Sequence, residues 1–374
     1  MTPYQVVWKG PVHRLSGLGI ASNSYVHALR RLGVKVQADD SGPAAPRSGS
    51  SPMKRVLICH QLPHKFNFRQ ARKRYDAILL NTVWETSRIP RRWLPLINQF
   101  DAVCVPSAQN ERALRSSGVK IPIFRVPHGV DTAQFKPDNP KLPLRNMGGR
   151  FVFISVFGFQ HRKNPETLLR AYWEEFSAAD SVLLIIKTNG YAPYETQAWI
   201  RQKIRQYKER LGIRKPTAPV LVLSGQLTPS QLKGIYTRGQ AFVLPTRGEG
   251  VGLPFLESLA SGTPVIATGW GGHMDFLNGK NAFLIPYRLK PPAVSMDSGH
   301  SISRTFRHLF VEEGQLWAEP DRPALRRLMR TAYRNPLLCK KKGRQGRQDV
   351  RKLSWNRAGI SLKTAIEKAL RSKR

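Results

Sequence analysis

Leu244-Pro-Thr-Arg-Gly-Glu-Gly-Val-Gly-Leu-Pro-Phe-Leu-Glu257, continued by Ser-Leu-Ala-Ser-Gly-Thr-Pro-Val-Ile-Ala267, is the most informative stretch of this 374-residue chain. An apolar run ends at Leu244, a glycine-rich turn follows, Pro254 suits the first turn of a helix, and Val265–Ala267 reads as the next strand. A strand, a turn and a helix in that order present free backbone N–H groups and a positive helix end to an anion. Glu249 falls on the turn and Glu257 near the start of the helix, so two carboxylates eight positions apart can flank one ligand. A glutamate near a helix start is also favourable for capping and dipole reasons alone. The glycine turn before it and the G-x-P-V-I strand after it favour the ligand reading.

Working outward, short apolar runs alternate with longer amphipathic stretches along the whole chain, the pattern of parallel sheets with crossover helices. Strands are expected at Val6–Trp8, Val56–Cys59, Ala77–Asn81, Ala102–Val105, Phe124–Val126, Phe151–Val156, Val182–Lys187, Val220–Leu223, Ala241–Leu244 and Val265–Ala267. Most are continuous Val/Ile-rich runs, as strands buried on both faces should be. Helices are expected over Ala21–Leu32, Ala108–Ser116, Pro165–Phe176, Tyr194–Leu211, Pro229–Arg238 and Pro254–Ala260. Ser41–Pro52 reads as a loop, and Lys136–Arg150, with three prolines and two glycines, as an interdomain linker. The expected organisation is a first domain over 1–140, a second over 141–345, and a helical segment over 346–374 that packs back on the first. Arg288–Leu316 lacks clear periodicity and is either an excursion near the site or a surface loop.

The charge is the strongest compositional anomaly: 61 Lys/Arg against 24 Asp/Glu give +37. Between Pro320 and the C-terminus there are eighteen basic residues and three acidic ones, and over 65–125 twelve and four. Such a surface attracts polyanions. Anionic lipid headgroups, a phosphorylated acceptor and nucleic acid are the candidates, and a general bias in residue usage is the alternative. The lack of an RNP aromatic motif, zinc knuckle or helix-turn-helix cue argues against nucleic acid. Three dispersed cysteines, Cys59, Cys104 and Cys339, form no metal or redox motif and fit a reducing compartment. The first residues read as a strand rather than a signal peptide, and no apolar run approaches a membrane span. A cytoplasmic chain, peripheral on the inner face of the membrane, is the resulting expectation.

The sequence resembles the family 4 retaining glycosyltransferases, the glycosyl transferases group 1 with the GT-B fold. Glu249 and Glu257 match the family's E-x7-E signature, and Val103-Cys-Val-Pro-Ser107 and Val126-Pro-His-Gly-Val-Asp131 match its strand-Pro-Ser and Pro-His/Asn-Gly-Val-Asp segments. Gly271-Gly272 with Asp275 is similar to its donor-domain loop, and Trp317-Ala-Glu-Pro320 to a late segment of a bacterial branch. The resemblance implies an α/β chain of two Rossmann-like domains whose mostly parallel sheets face a central cleft. It also implies transfer of a sugar, with retention, from a nucleoside-diphosphate donor to a glycan, lipid-linked or other hydroxyl acceptor.

On that reading Glu257 holds the donor ribose, Glu249 the sugar hydroxyls, and the backbone of Gly250, Val251, Gly252 and Leu253 the diphosphate. Arg162 and Lys163 follow the strand Phe151–Val156 and supply cations to the leaving group, with Phe159 near the family's usual arginine place. Lys187, at the end of the next strand, competes for the phosphate role. Gly17 and Gly19 in Ser16-Gly-Leu-Gly-Ile-Ala21 match the family's first glycine loop, although G-x-G alone is more often a plain turn. The family's catalytic histidine has no clear counterpart: His60 follows a strand, and Glu85 stands where its loop is expected and can bind an acceptor hydroxyl. No D-x-D pair offers a metal site and no resident cofactor is expected, so leaving-group stabilisation falls to cations and a helix terminus. An epimerase of the same fold and a non-enzymatic polyanion-binding protein are the other readings.

Overall fold

The computed structural model describes residues 3–39, 53–144 and 148–372 and divides into two compact units. Residues 1–129 with 352–374 form the first and residues 130–351 the second. Lys136–Arg150, expected as a linker, therefore falls within the second unit, while Ser41–Pro52 lies outside the described residues.

Six strands build the first unit: β1 Tyr4–Lys9, β2 Lys35–Asp39, β3 Lys54–His60, β4 Ala77–Asn81, β5 Ala102–Val105 and β6 Ile123–Arg125. They lie parallel in the order β2-β1-β3-β4-β5-β6. β2 escaped the sequence reading because Lys35-Val-Gln-Ala-Asp39 pairs only with β1 at the sheet edge and alternates instead of running apolar. The helix Gly17–Arg31 covers one face, and the last helix, Trp355–Arg371, packs on it. Leu362, Ala365, Ile366 and Ala369 of that last helix share a core with Trp8, Tyr25, Leu29 and Ile58. The helix starts at Trp355, where Ser354 caps it by accepting from Arg357 N.

The second unit repeats the plan with β7 Phe151–Val156, β8 Val182–Lys187, β9 Val220–Leu223, β10 Ala241–Leu244, β11 Val265–Thr268 and β12 Ala282–Ile285. Their order is β12-β11-β10-β7-β8-β9, again all parallel. Successive strands run away from β7 on one side and from β10 on the other, so the chain reverses its direction of winding between these two. Open α/β sheets bind ligands beyond the carboxyl ends of the strands at such a switch point. The Arg288–Leu316 segment is an excursion: β13 Tyr287–Lys290 leaves, two short helices follow, and β14 Trp317–Pro320 returns antiparallel to β13. Helices Arg322–Arg334 and Pro336–Val350, which the sequence reading did not anticipate, then pack on the unit.

Candidate active site

β7 and β10 deliver Arg162, Lys163, Glu249, Gly250–Leu253 and Glu257 beyond their carboxyl ends, and β8 delivers Lys187. After β7 the chain makes a short turn, His161–Lys163, closed by Asn164 in the left-handed region (φ 61°), which asparagine tolerates. Asn164 caps the next helix by accepting from Thr167 N at 3.1 Å, and its amide donates to Pro245 O at 3.0 Å. That bond ties the turn to the segment after β10.

Glu249 sits there, buried, and receives both cations of the turn. Lys163 Nζ lies 2.5 Å from its Oε1 and Arg162 Nη1 3.4 Å from its Oε2. Arg162 also donates to Gly248 O. Burial opposes the charge on Glu249, but Lys163 and Arg162 outweigh it and hold the carboxyl below its ordinary range. The Gly271–Gly272 loop closes on the same residue, with Gly272 N donating to Glu249 O at 2.7 Å. Next to it His273 is buried, its Nε2–H donating to Thr268 O at 2.7 Å, and burial keeps the ring neutral.

The helix Leu253–Ala260 begins at Gly252, whose φ of 82° and contact with Phe255 leave no room for a side chain. No side chain caps this end; Pro254 has no N–H and Phe255 N donates to Gly252 O at 2.9 Å, which leaves the N–H groups of Gly250–Leu253 as the donors of this turn. Glu257 is buried one turn into the helix and accepts from Tyr236 Oη at 2.6 Å. Burial pushes its carboxyl up to about 7, against the pull of that hydrogen bond. Lys187 ends β8 half-buried, its ammonium donating to Thr188 O at 3.0 Å and its pKa lowered by burial.

The remaining expected residues belong to the first unit. Its switch point lies between β1 and β3, and the loop after β1 leads to Gly17 and Gly19. Ser16 caps the helix by accepting from Gly19 N at 3.1 Å. A Cβ on Gly19 would lie 2.0 Å from Arg14 O, whereas one on Gly17 would meet nothing within 4 Å. His60 is buried in an aromatic box with Trp8 and Tyr25, its Nδ1 2.7 Å from Ser22 Oγ, and burial lowers its pKa to about 3. Glu85 is partly buried on the loop after β4, beside Trp84, whose backbone exchanges hydrogen bonds with Asn110 at 2.8 Å in each direction.

Sequence reasoning missed a polar group behind the Lys163 turn: buried His161, Glu166 and Arg247, with half-buried Glu319. His161 Nδ1–H donates to Glu166 Oε1 at 2.8 Å, and Arg247 reaches Glu166 and Glu319. Burial and Arg247 keep His161 neutral; burial opposes the charge on Glu166, but the His161 N–H and then Arg247 outweigh it and hold the carboxyl down at about 2. Arg247 lies within Leu244–Glu257, where an arginine between threonine and glycine carries no signal of its own. Tyr236 was likewise invisible, because its partner is twenty-one residues away.

The glycosyl transferases group 1 family matches residues 148–295. The chain is 28% identical over 181 residues to the alpha-monoglucosyldiacylglycerol synthase of Streptococcus pneumoniae, a match covering 46% of this chain and 38% of that protein. It is 26% identical over 287 residues to the lipopolysaccharide core biosynthesis mannosyltransferase LpsB of Rhizobium meliloti, covering 71% and 77%. Sucrose-phosphate synthase of Thermosynechococcus elongatus shares the fold, with a TM-score of 0.67 at 16% identity over 98% of this chain and 100% of that one. Two six-stranded parallel sheets and this structural neighbour give the chain the GT-B fold, and over residues 148–295 it is similar to the glycosyl transferases group 1.

Proposed function

We propose that the chain transfers a sugar from a nucleoside-diphosphate donor to a hydroxyl acceptor. The observation that carries this reading is the meeting of Lys163, Arg162 and Glu249 at the β7/β10 switch point, beside a helix end without a side-chain cap. A donor diphosphate takes over the two cations and the free N–H groups of Gly250–Leu253. Glu257 accepts from the ribose and Glu249 from the sugar hydroxyls. In a front-face step the bond from the anomeric carbon to the phosphate oxygen breaks while the bond to the acceptor oxygen forms on the same face. The acceptor proton passes to the leaving diphosphate, so configuration is retained. Lys163, Arg162 and the helix terminus stabilise the departing charge, and no divalent ion is required.

The acceptor is a glycan or a lipid-linked hydroxyl, a class consistent with relatives named for a diacylglycerol glucoside and for lipopolysaccharide core. An anionic membrane surface is the proposed partner, and no helix among the described residues is long and apolar enough to cross a membrane. Helix Pro336–Val350 turns Lys340, Lys341 and Arg344 to solvent with Leu337, which is 76% exposed. By contrast Arg326 and Arg330 of the preceding helix are spent on Glu175, at 3.2 and 2.7 Å.

The test is a thermal-shift screen of sugar nucleotides followed by product analysis with and without acceptor, each in the presence of EDTA. Transfer that persists in EDTA and retains the anomeric configuration is expected. Conversion of the sugar nucleotide without acceptor would make the chain an epimerase, and stabilisation by none of them would remove the donor site.

A further inference from the structure

Trp317-Ala-Glu-Pro320 has no part in the donor reading, yet three of its residues meet one residue, Arg247. The Arg247 Nε–H donates to Glu319 Oε1 at 2.8 Å, and the guanidinium carbon lies 5.7 Å from the Trp317 ring centroid. Trp317 Nε1–H donates to the same Glu319 oxygen at 3.0 Å, and Ala318 N donates to Arg247 O at 2.9 Å. On its other side Arg247 holds the turn of the diphosphate cations. Its Nη1 donates to His161 O at 2.5 Å, and its backbone N–H donates to Arg162 O at 2.8 Å. Thr246 Oγ1 adds a bond to Arg162 O at 3.1 Å.

The excursion that precedes β14 braces the same turn from outside. Ile302 N donates to Glu166 Oε1 at 3.0 Å, and Ser303 Oγ donates to Phe159 O at 3.3 Å. A buried guanidinium presents its donors in a rigid plane, so fixing Nε on one carboxylate aims Nη1. Glu319 and Trp317 fix it on one side, and the His161 carbonyl is where it points. A reacting group displaced by about 1 Å can lose roughly a hundredfold in rate, which gives such a joint functional weight.

We infer that Glu319, acting through Arg247, is a positioning residue that holds the His161–Lys163 turn so that Lys163 faces the donor diphosphate, and that the excursion serves to deliver it. The inference rests on the donor reading above and adds to it a role for a motif outside the matched family region.

Titration calorimetry with UDP and GDP separates the two. In the wild-type chain Lys163→Ala is expected to weaken binding of the preferred nucleotide at least roughly tenfold, and Glu319→Ala about fivefold. Because both act on one contact, Glu319→Ala should change affinity by less than about twofold in the Lys163→Ala background. Glu319→Gln keeps an oxygen for Arg247 Nε and should stay within about twofold of wild type. Full multiplicativity in the double variant, or a Glu319→Ala chain that binds normally while Lys163→Ala does not, overturns the positioning role. If Lys163→Ala binds both nucleotides as wild type does, or wild type binds neither, the donor reading fails and takes this inference with it. Should Glu319→Ala not fold, Trp317→Phe, which removes the indole N–H from Glu319 and part of the ring beside Arg247, takes its place in the same cycle.

Discussion

Tyr236 donates its hydroxyl hydrogen to Glu257 at 2.6 Å, joining helix Pro229–Arg238 to the helix behind the glycine turn. Both groups are buried, and Glu257 is pushed from 4.5 up to about 7. A carboxyl raised by folding keeps a proton that the unfolded chain has lost. Its stability contribution is therefore fully present below about pH 4.5 and is lost as the pH rises through about 7. Glu257→Gln, which cannot ionise, should gain melting temperature relative to wild type between pH 5 and pH 8.

The same ionisation governs the ligand, since ribose hydroxyls donate best to a carboxylate. Nucleoside diphosphate affinity should rise with pH through about 7, and binding near that pH should release a proton. Calorimetry in two buffers of different ionisation enthalpy measures the release. Tyr236→Phe removes the bond that favours the charged form, so its affinity profile should move to higher pH. A profile that stays put places the titrating group elsewhere.

The two glutamates should differ kinetically. Glu257→Gln loses a charge-assisted bond made in ground and transition states alike, raising the donor KM by roughly 1.5–3 kcal/mol of binding. Glu249 faces the transferred sugar, so Glu249→Gln should lower kcat and leave nucleoside diphosphate affinity nearly unchanged. Its ion pairs with Lys163 and Arg162 set the sign of any residual change: a neutral residue there no longer competes for the diphosphate's cations, so nucleotide affinity should not fall. Initial rates beside nucleotide titrations decide it, and a reversed pattern reverses the donor in the site.

Gly17 and Gly19 separate packing from ligand approach. Gly19→Ala forces a Cβ onto Arg14 O and should cost at least about 1–3 kcal/mol of stability. Gly17→Ala meets open space in the first turn of a helix and should leave stability within about 1 kcal/mol of wild type. If a substrate's phosphates come close to the backbone there, Gly17→Ala nevertheless loses activity. A fully active Gly17→Ala makes the motif a plain helix start.

Charge reversal of Lys340, Lys341 and Arg344 to Glu should abolish sedimentation with phosphatidylglycerol vesicles at about 0.1 M salt, where the screening length is about 10 Å. Wild-type binding should weaken as salt rises, and neutral vesicles should bind neither chain. A triple reversal at exposed Arg88, Arg91 and Arg92 controls for net charge. Equal losses in the two variants would show that the helix face is not the contact, and binding of RNA in preference to vesicles would change the partner.

Where burial is two-sided, the sequence spoke plainly. Ala77–Asn81, Phe151–Val156 and Ala241–Leu244 run from first to last residue as their apolar runs suggest, because a central parallel strand needs apolar residues on both faces. β2, β13 and β14 were illegible for the opposite reason: the first is an edge, and the other two form a ribbon outside the main sheets. Glu249, Glu257, Arg162 and Lys163 were legible as candidates because each follows a strand-turn signal. The pairings among them were not, since Lys163 meets Glu249 across eighty-six residues and Arg247 meets Glu319 across seventy-two. Chemistry read along a chain names the groups, and the order of strands in the sheet decides which of them meet.

The last helix completes the core of a unit whose other residues lie at the opposite end of the chain. During synthesis, the face of helix Gly17–Arg31 that receives Ala358 and Leu362 must wait while residues 130–351 are made. At roughly 5–20 residues per second that delay is on the order of tens of seconds. The second unit has its whole sequence before the first does, so on the ribosome it is the later-encoded half that can finish folding earlier. A released chain truncated after residue 351 should accordingly present a protease-resistant second unit attached to a sensitive, apolar-faced first one.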